Sequence, residues 1–121
     1  MEAINLQDKL DQFDERWAPR IVGALNGQHV KLAKLEGAFD WHQHADADEL
    51  FLVLDGRLII VLRDGSDVRL GEGECCIVPR GTEHRPVAPE GAAHVLLVEP
   101  AGTRNTGRRE TEKTVSSPEW I

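Results

Sequence analysis

Three of the five histidines and one glutamate fall at spacings that suit a metal ion. His42 and His44 stand two apart, so on a strand they leave from the same face. Glu49 follows the spacer Ala45-Asp46-Ala47-Asp48 and opens an apolar run, and His84 lies behind a Pro79-Arg80-Gly81 turn. Imidazole nitrogens with one carboxylate form a mixed donor set that accepts Fe, Mn, Ni, Cu or Zn. Around these four, Phe39 and Trp41 flank the first histidine, and Phe51 and Val53 share a face with Glu49 by alternation. All four are candidates for the wall of a ligand pocket, and His94 is a fifth, placed at the start of the last strand. The chain has no tyrosine, so no phenol can serve as a general acid. The two cysteines, Cys75 and Cys76, are neighbours, and on a strand they point to opposite faces, so they do not pair with each other.

These side chains need a scaffold, and the pattern predicts mostly short strands. Residues 5–17 read as one helix, with Asn5 as N-cap and Leu6, Leu10, Phe13 and Trp17 on one apolar face, ended by Pro19. That face must pack against the rest of this chain or against a second subunit. Strands are expected near 20–25, 28–36, 39–44, 49–55, 57–63, 66–70, 74–78, 84–88 and 93–99. They are separated by turn signals such as Asn26-Gly27, Asp55-Gly56, Asp64-Gly65 and Pro89-Glu90-Gly91. Many short strands without intervening helices argue for an antiparallel sandwich or barrel. The runs LFLVL and LIIVL in the 49–55 and 57–63 strands suggest burial on both faces. Residues 101–121 are polar until Trp120-Ile121 and read as an extended tail that docks locally.

Two segments carry a resemblance. GAFDWHQHADADELFLVLDG, residues 37–56, resembles the first motif of the cupin superfamily, and GECCIVPRGTEHRPVA, residues 73–88, resembles the second. His42, His44, Glu49, Gly56, Gly73, Pro79, Gly81 and His84 match at the family's spacing. Gly37 stands one residue closer to His42 than the family's first glycine, and Ala88 replaces the asparagine that closes the second motif. The resemblance implies an all-β, cupin-type jelly-roll β-barrel with a short N-terminal α-helix. The domain plan is then helix 1–19, barrel 20–100 and tail 101–121. It also implies that His42, His44, Glu49 and His84 converge inside the barrel as ligands of one divalent transition metal ion, Fe, Mn, Ni or Zn, with two positions left open. Small cupins commonly pair barrel to barrel, so a homodimer is expected.

Composition narrows the function. In 121 residues, 40% are hydrophobic and 29% charged, which fits one globular domain and not a disordered chain. No apolar run reaches the length of a membrane span. A net charge of −7 argues against a nucleic-acid partner. Arg104, Arg108, Arg109 and Lys113 alternate with Glu110 and Glu112 and read as a solvated tail. The acidic N-terminal segment does not look like a signal peptide, and the cysteines form no disulfide framework, so a cytoplasmic protein is expected. One fold serves many chemistries. The resemblance implies a metalloenzyme acting on an oxygen-rich small molecule, dioxygenase-like or sugar or organic-acid isomerase- or lyase-like. The alternative is a cupin that binds a sugar or organic acid without turning it over. A storage role fits neither the length nor the cysteine count.

Overall fold

A computed structural model describes residues 1–121. One short helix, α1 (Leu6–Leu10), precedes eight strands: β1 (Arg20–Leu25), β2 (Gln28–Ala38), β3 (Glu49–Asp55), β4 (Leu58–Leu62), β5 (Val68–Leu70), β6 (Cys75–Val78), β7 (His84–Pro100) and β8 (Glu119–Trp120). The architecture is all-β. The strands run in the order β5-β4-β7-β2-β1-β8, and β3 joins this path by pairing with β7 on one side and β6 on the other. All pairings are antiparallel except β1 with β8. No helix is long and apolar enough to cross a membrane.

The hub is β7, which pairs with β2, β3 and β4. Two strands were expected here, broken at Pro89-Glu90-Gly91. The structure has one 17-residue strand instead. The turn signal acts on the pairing and not on the strand. Leu35 opposes Ala93 and Gly37 opposes Ala88, so residues 89–92 leave the ladder at an irregularity beside Glu36.

Alternation along β2, β3, β4 and β7 fills the main core with Ala33, Leu35, Phe51, Val53, Leu58, Ile60, Ala88, Val95 and Leu97, among others. The LFLVL and LIIVL runs are buried on one face and mostly half-buried on the other. Leu54, on the second face of β3, packs against a smaller cluster made by Leu10, Phe13, Val22 and Leu32.

That smaller cluster also settles where the N-terminal apolar face goes. Leu10 and Phe13 are buried against this chain's own sheet, with Leu6 beside them. The helix itself is shorter than the expected 5–17. Asn5 caps it, its side chain accepting from the Asp8 amide, and it ends at Leu10. Beyond it the backbone is taken by β2: the Trp17 amide donates to the Lys34 carbonyl at 2.9 Å, and Arg16 and Lys34 form a parallel bridge. Trp17 then turns with φ of +62°, a conformation a bulky side chain rarely adopts. The apolar period was read as a helix because it reports which residues are buried, and here a docked loop buries them.

The tail docks along much of its length. Thr106 is fully buried, and β8 adds to the edge of β1, where the Ile121 amide donates to the Ile21 carbonyl.

Candidate metal centre

The four cluster residues come from two strands and one loop. Glu49 opens β3 and His84 opens β7. The segment 39–44, expected as a strand, is a loop that touches the sheet at one bridge, His42 with His84. These two residues exchange both backbone hydrogen bonds, at 3.0 and 2.9 Å, and the His44 carbonyl accepts from the Gly81 amide at 2.8 Å. The loop is therefore pinned on either side of Gln43, and the turn that carries Pro79 and Gly81 reaches back to support His44. The strand failed because the loop's outer side is claimed by the tail. Arg109 donates to the Trp41 carbonyl, Thr111 donates to the Asp40 carboxylate, and Arg108 pairs with Asp46. Arg108 and Arg109, both exposed on the tail, and Lys113 thus reach the loop, while Arg104 pairs with Glu110 inside the tail.

All four cluster side chains are buried, His84 completely. One donor atom from each lies within 4.8 Å of the other three. The Glu49 Oε1 atom stands 3.5 Å from His44 Nε2 and 3.6 Å from His84 Nε2. His42 and His84 each place Nδ1 2.9 Å from a backbone carbonyl oxygen two residues before, Asp40 and Thr82 respectively. A carbonyl only accepts, so each Nδ1 carries a proton, and Nε2 is the nitrogen free to face a metal ion. The rings of His42 and His84 lie 4.4 Å apart between centroids, and Phe39 and Phe51 meet them edge-on.

This arrangement is costly without a cation. The Nε2 atoms of His44 and His84 and the Oε1 of Glu49 are buried with no hydrogen-bond partner. Buried polar atoms are normally satisfied, so three orphaned acceptors facing one point fit a metal ion. The charge states agree. Burial, and next the positive charge of His84 when protonated, push His42 down to about 4, so its ring is neutral at neutral pH. Glu49 and Glu99 face each other as a pair: Glu49 is held well below the usual carboxylate range, whereas burial first, and then the Glu49 charge, push Glu99 well above it.

A narrow cleft leads to the cluster. Its wall is mainly apolar, with Trp17, Leu35, Phe39, Phe51 and Leu97, and His42, Glu49 and Glu99 also line it. Of the five expected wall residues, Phe39 and Phe51 line it. Val53 lies in the closed core, and His94 sits away from the cleft, 3.9 Å from Asp55. Trp41 turns outward, its ring 3.8 Å from the Arg63 guanidinium carbon and 5.3 Å from that of Arg85. It borders a second surface cavity with Gln43, Arg109 and the cluster residue His42.

Three contributors escaped the sequence reading. Trp17, stacked on Phe39 at 4.8 Å, was assigned to a helix face. Glu99 and Lys31 form a buried ion pair at 2.7 Å. Alternation carries a signal for both: Val95 and Leu97 lead to Glu99, and Lys31 leads to Ala33 and Leu35, each putting a charge on a buried face.

A jelly-roll-like β scaffold with three histidines and a glutamate meeting between its strands is the layout of a cupin. The profile of the cupin domain matches residues 28–99, and the chain belongs to that family. It is 37% identical over 81 residues to the uncharacterized protein YdbB of Bacillus subtilis (strain 168), an alignment covering 67% of this chain and 72% of that one. It is 35% identical over 69 residues to the tetracenomycin polyketide synthase protein TcmJ of Streptomyces glaucescens, covering 55% of this chain and 45% of TcmJ, so it spans less than half of that protein. Among solved structures, a cupin-2 domain protein from Shewanella frigidimarina superposes with a TM-score of 0.78 at 42% identity, over 81% of this chain and 94% of that one.

Proposed function

We propose that this protein is a metal-dependent enzyme, with His42, His44, Glu49 and His84 as the ligands of one divalent transition metal ion and a small oxygen-bearing molecule as substrate. The observation that carries the reading is the set of buried, unpartnered acceptors on His44, His84 and Glu49. When bound, an iron, manganese, nickel or zinc ion supplies Lewis-acid polarisation of a substrate oxygen, or a dioxygen-binding centre. The chain's own residues do the rest. The Asp40 and Thr82 carbonyls fix the imidazole tautomers, and the Phe39 and Phe51 rings keep water from the donors. Four protein ligands leave open positions, as a catalytic site requires.

The name of the Streptomyces relative attaches it to polyketide synthesis, which supports an organic small molecule as the partner here. The free thiols of Cys75 and Cys76 fit a reducing cytoplasm. A homodimer is part of the same proposal, and sedimentation velocity checks it. The second reading, capture without turnover, draws support from the mainly apolar wall. The titratable groups that line the cleft, His42, Glu49 and Glu99, favour catalysis over it.

The first test is elemental analysis of protein purified without added metal, beside His42→Ala and Glu49→Ala. Near-stoichiometric metal in the wild type, lost in both variants, is the expected result. Iron or manganese then directs the search to dioxygen uptake, and zinc or nickel to isomerase or lyase assays. A wild type that takes up no metal on reconstitution overturns the reading.

A further inference from the structure

Lys31 and Glu99 are each about 98% buried at the side chain, and their ion pair stands beside the cluster without belonging to it. Glu99 Oε1 accepts from Lys31 Nζ, but its second oxygen, Oε2, is buried and has no partner. Glu99 lines the same cleft as His42 and Glu49. Strand register explains why: Leu50 of β3 opposes Val98 of β7, so the next residues outward, Glu49 and Glu99, are cross-strand neighbours.

The other polar side chains on that cleft are already engaged. The Asn105 amide donates to the Lys113 carbonyl and accepts from the Val115 amide, and the Trp17 indole donates to the Glu36 carbonyl. Apart from the metal-facing donors, Glu99 Oε2 is thus the polar group left for a ligand. A buried pair of this kind costs stability compared with apolar residues of the same volume, so its presence calls for a use.

We propose that Glu99, braced by Lys31, is a ligand-binding residue of this site, which takes an α-hydroxy acid with an apolar body: the carboxylate goes to the metal and the α-hydroxyl hydrogen-bonds to Glu99 Oε2. The proposal rests on the metal-dependent reading above. Three features select this class. The cluster supplies a single carboxylate ligand, Glu49, against a divalent ion, so a ligand that brings a negative charge of its own completes it. The space inside the cleft, about 30 Å³, admits two or three water-sized groups, the size of a carboxylate with its hydroxyl. The wall of Trp17, Leu35 and Phe39 suits an apolar remainder.

The test uses full-length protein loaded with zinc, with zinc content measured on every sample, and titrates mandelate and phenylacetate by calorimetry. These two probes share a ring and a carboxylate and differ in the hydroxyl. The wild type is expected to bind mandelate about fivefold or more tightly than phenylacetate, the worth of one hydrogen bond. In Lys31→Met/Glu99→Leu, which replaces the pair with apolar groups, the preference is lost while phenylacetate still binds, affinities being compared per bound zinc. Equal preference in wild type and double variant, no preference in the wild type, or no binding of either acid overturns the proposal. Should the double variant not fold, the wild type decides with α-methoxyphenylacetate: binding as tight as that of mandelate overturns the proposal, and loss of the preference supports it. Zinc bound with no hydroxyl preference removes this proposal alone, whereas a wild type that takes up no zinc removes the metal reading and this proposal together.

Discussion

Gly107 of the tail lies against the carbonyl of Gln43, the residue between the two loop histidines, so closely that a Cβ on Gly107 would sit 2.0 Å from that oxygen. The contact is with backbone pinned on both sides, at His42 and at His44, and neither side has slack. Gly107 also holds φ at +64°, a conformation that glycine adopts without a Cβ penalty. The tail therefore seats on the ligand loop only because this residue has no side chain.

Gly107→Ala is expected to lift the tail from the loop. The cost to stability is on the order of 2–3 kcal/mol, the sum of a strained backbone and a displaced contact. Zinc affinity should weaken in the same variant, because Arg109 and Thr111 no longer brace Trp41 and Asp40. Thermal melts and a competitive chelator titration check both effects. A variant with wild-type melting and wild-type affinity would show that the tail is idle.

Gly56, which follows β3, is crowded in a different way. A Cβ there would lie 3.0 Å from the Ala92 carbonyl oxygen and 3.1 Å from the Ala93 Cα, at φ of +87°. Gly56→Val is expected to destabilise the fold by about 3 kcal/mol or more, from backbone strain and overpacking together. Urea denaturation measures it, and a midpoint within error of the wild type would refute the account.

The acid side of the stability profile of metal-free protein follows from His42. Its pKa falls from 6.5 to about 4 on folding, so between these values the unfolded chain binds more protons than the folded one. Stability is then fully present above pH 6.5, falls as pH drops through the window, and levels below about 4. The loss from this group is on the order of 3 kcal/mol. Unfolding free energies across that range, compared with His42→Gln, check the sign: the variant should have the flatter profile.

The two cysteines should react at different rates. Cys75 is exposed, whereas Cys76 is half-buried against the core and its thiol is raised, first by burial and then by the neighbouring Cys75 and Glu49 charges. Only the thiolate attacks, so a thiol-exchange reagent should label one site fast and the other slowly. Cys75→Ser should remove the fast phase alone.

The cluster was legible because its information is local. His42-x-His44, Glu49 and the Pro79-Arg80-Gly81 turn before His84 can each be read within a few residues, and the geometry of the fold brings them together. The same holds for β1, β3 and β6, whose bounds lie within one residue of expectation. What failed was decided by distant partners. Residues 39–44 look extended, but the tail takes their outer side, and the link between Asp40 and Thr111 cannot be read from either segment. Residues 11–17 keep a helical period of burial, yet the Lys34 carbonyl claims the Trp17 amide. Val53 and His94 fell outside the cleft because alternation names a face of a strand without saying how far along it the cavity extends.

The central position of β7 has a consequence for how the molecule forms. This strand touches β2, β3 and β4, and its partners lie tens of residues away in sequence. The sheet is therefore rich in contacts of high sequence separation, the topology that folds slowly. During synthesis, a chain emerging up to residue 83 has Glu49 and the loop histidines but lacks the strand that joins their elements and carries His84. Assembly of the cluster is in this sense a late event, coupled to the arrival of one segment.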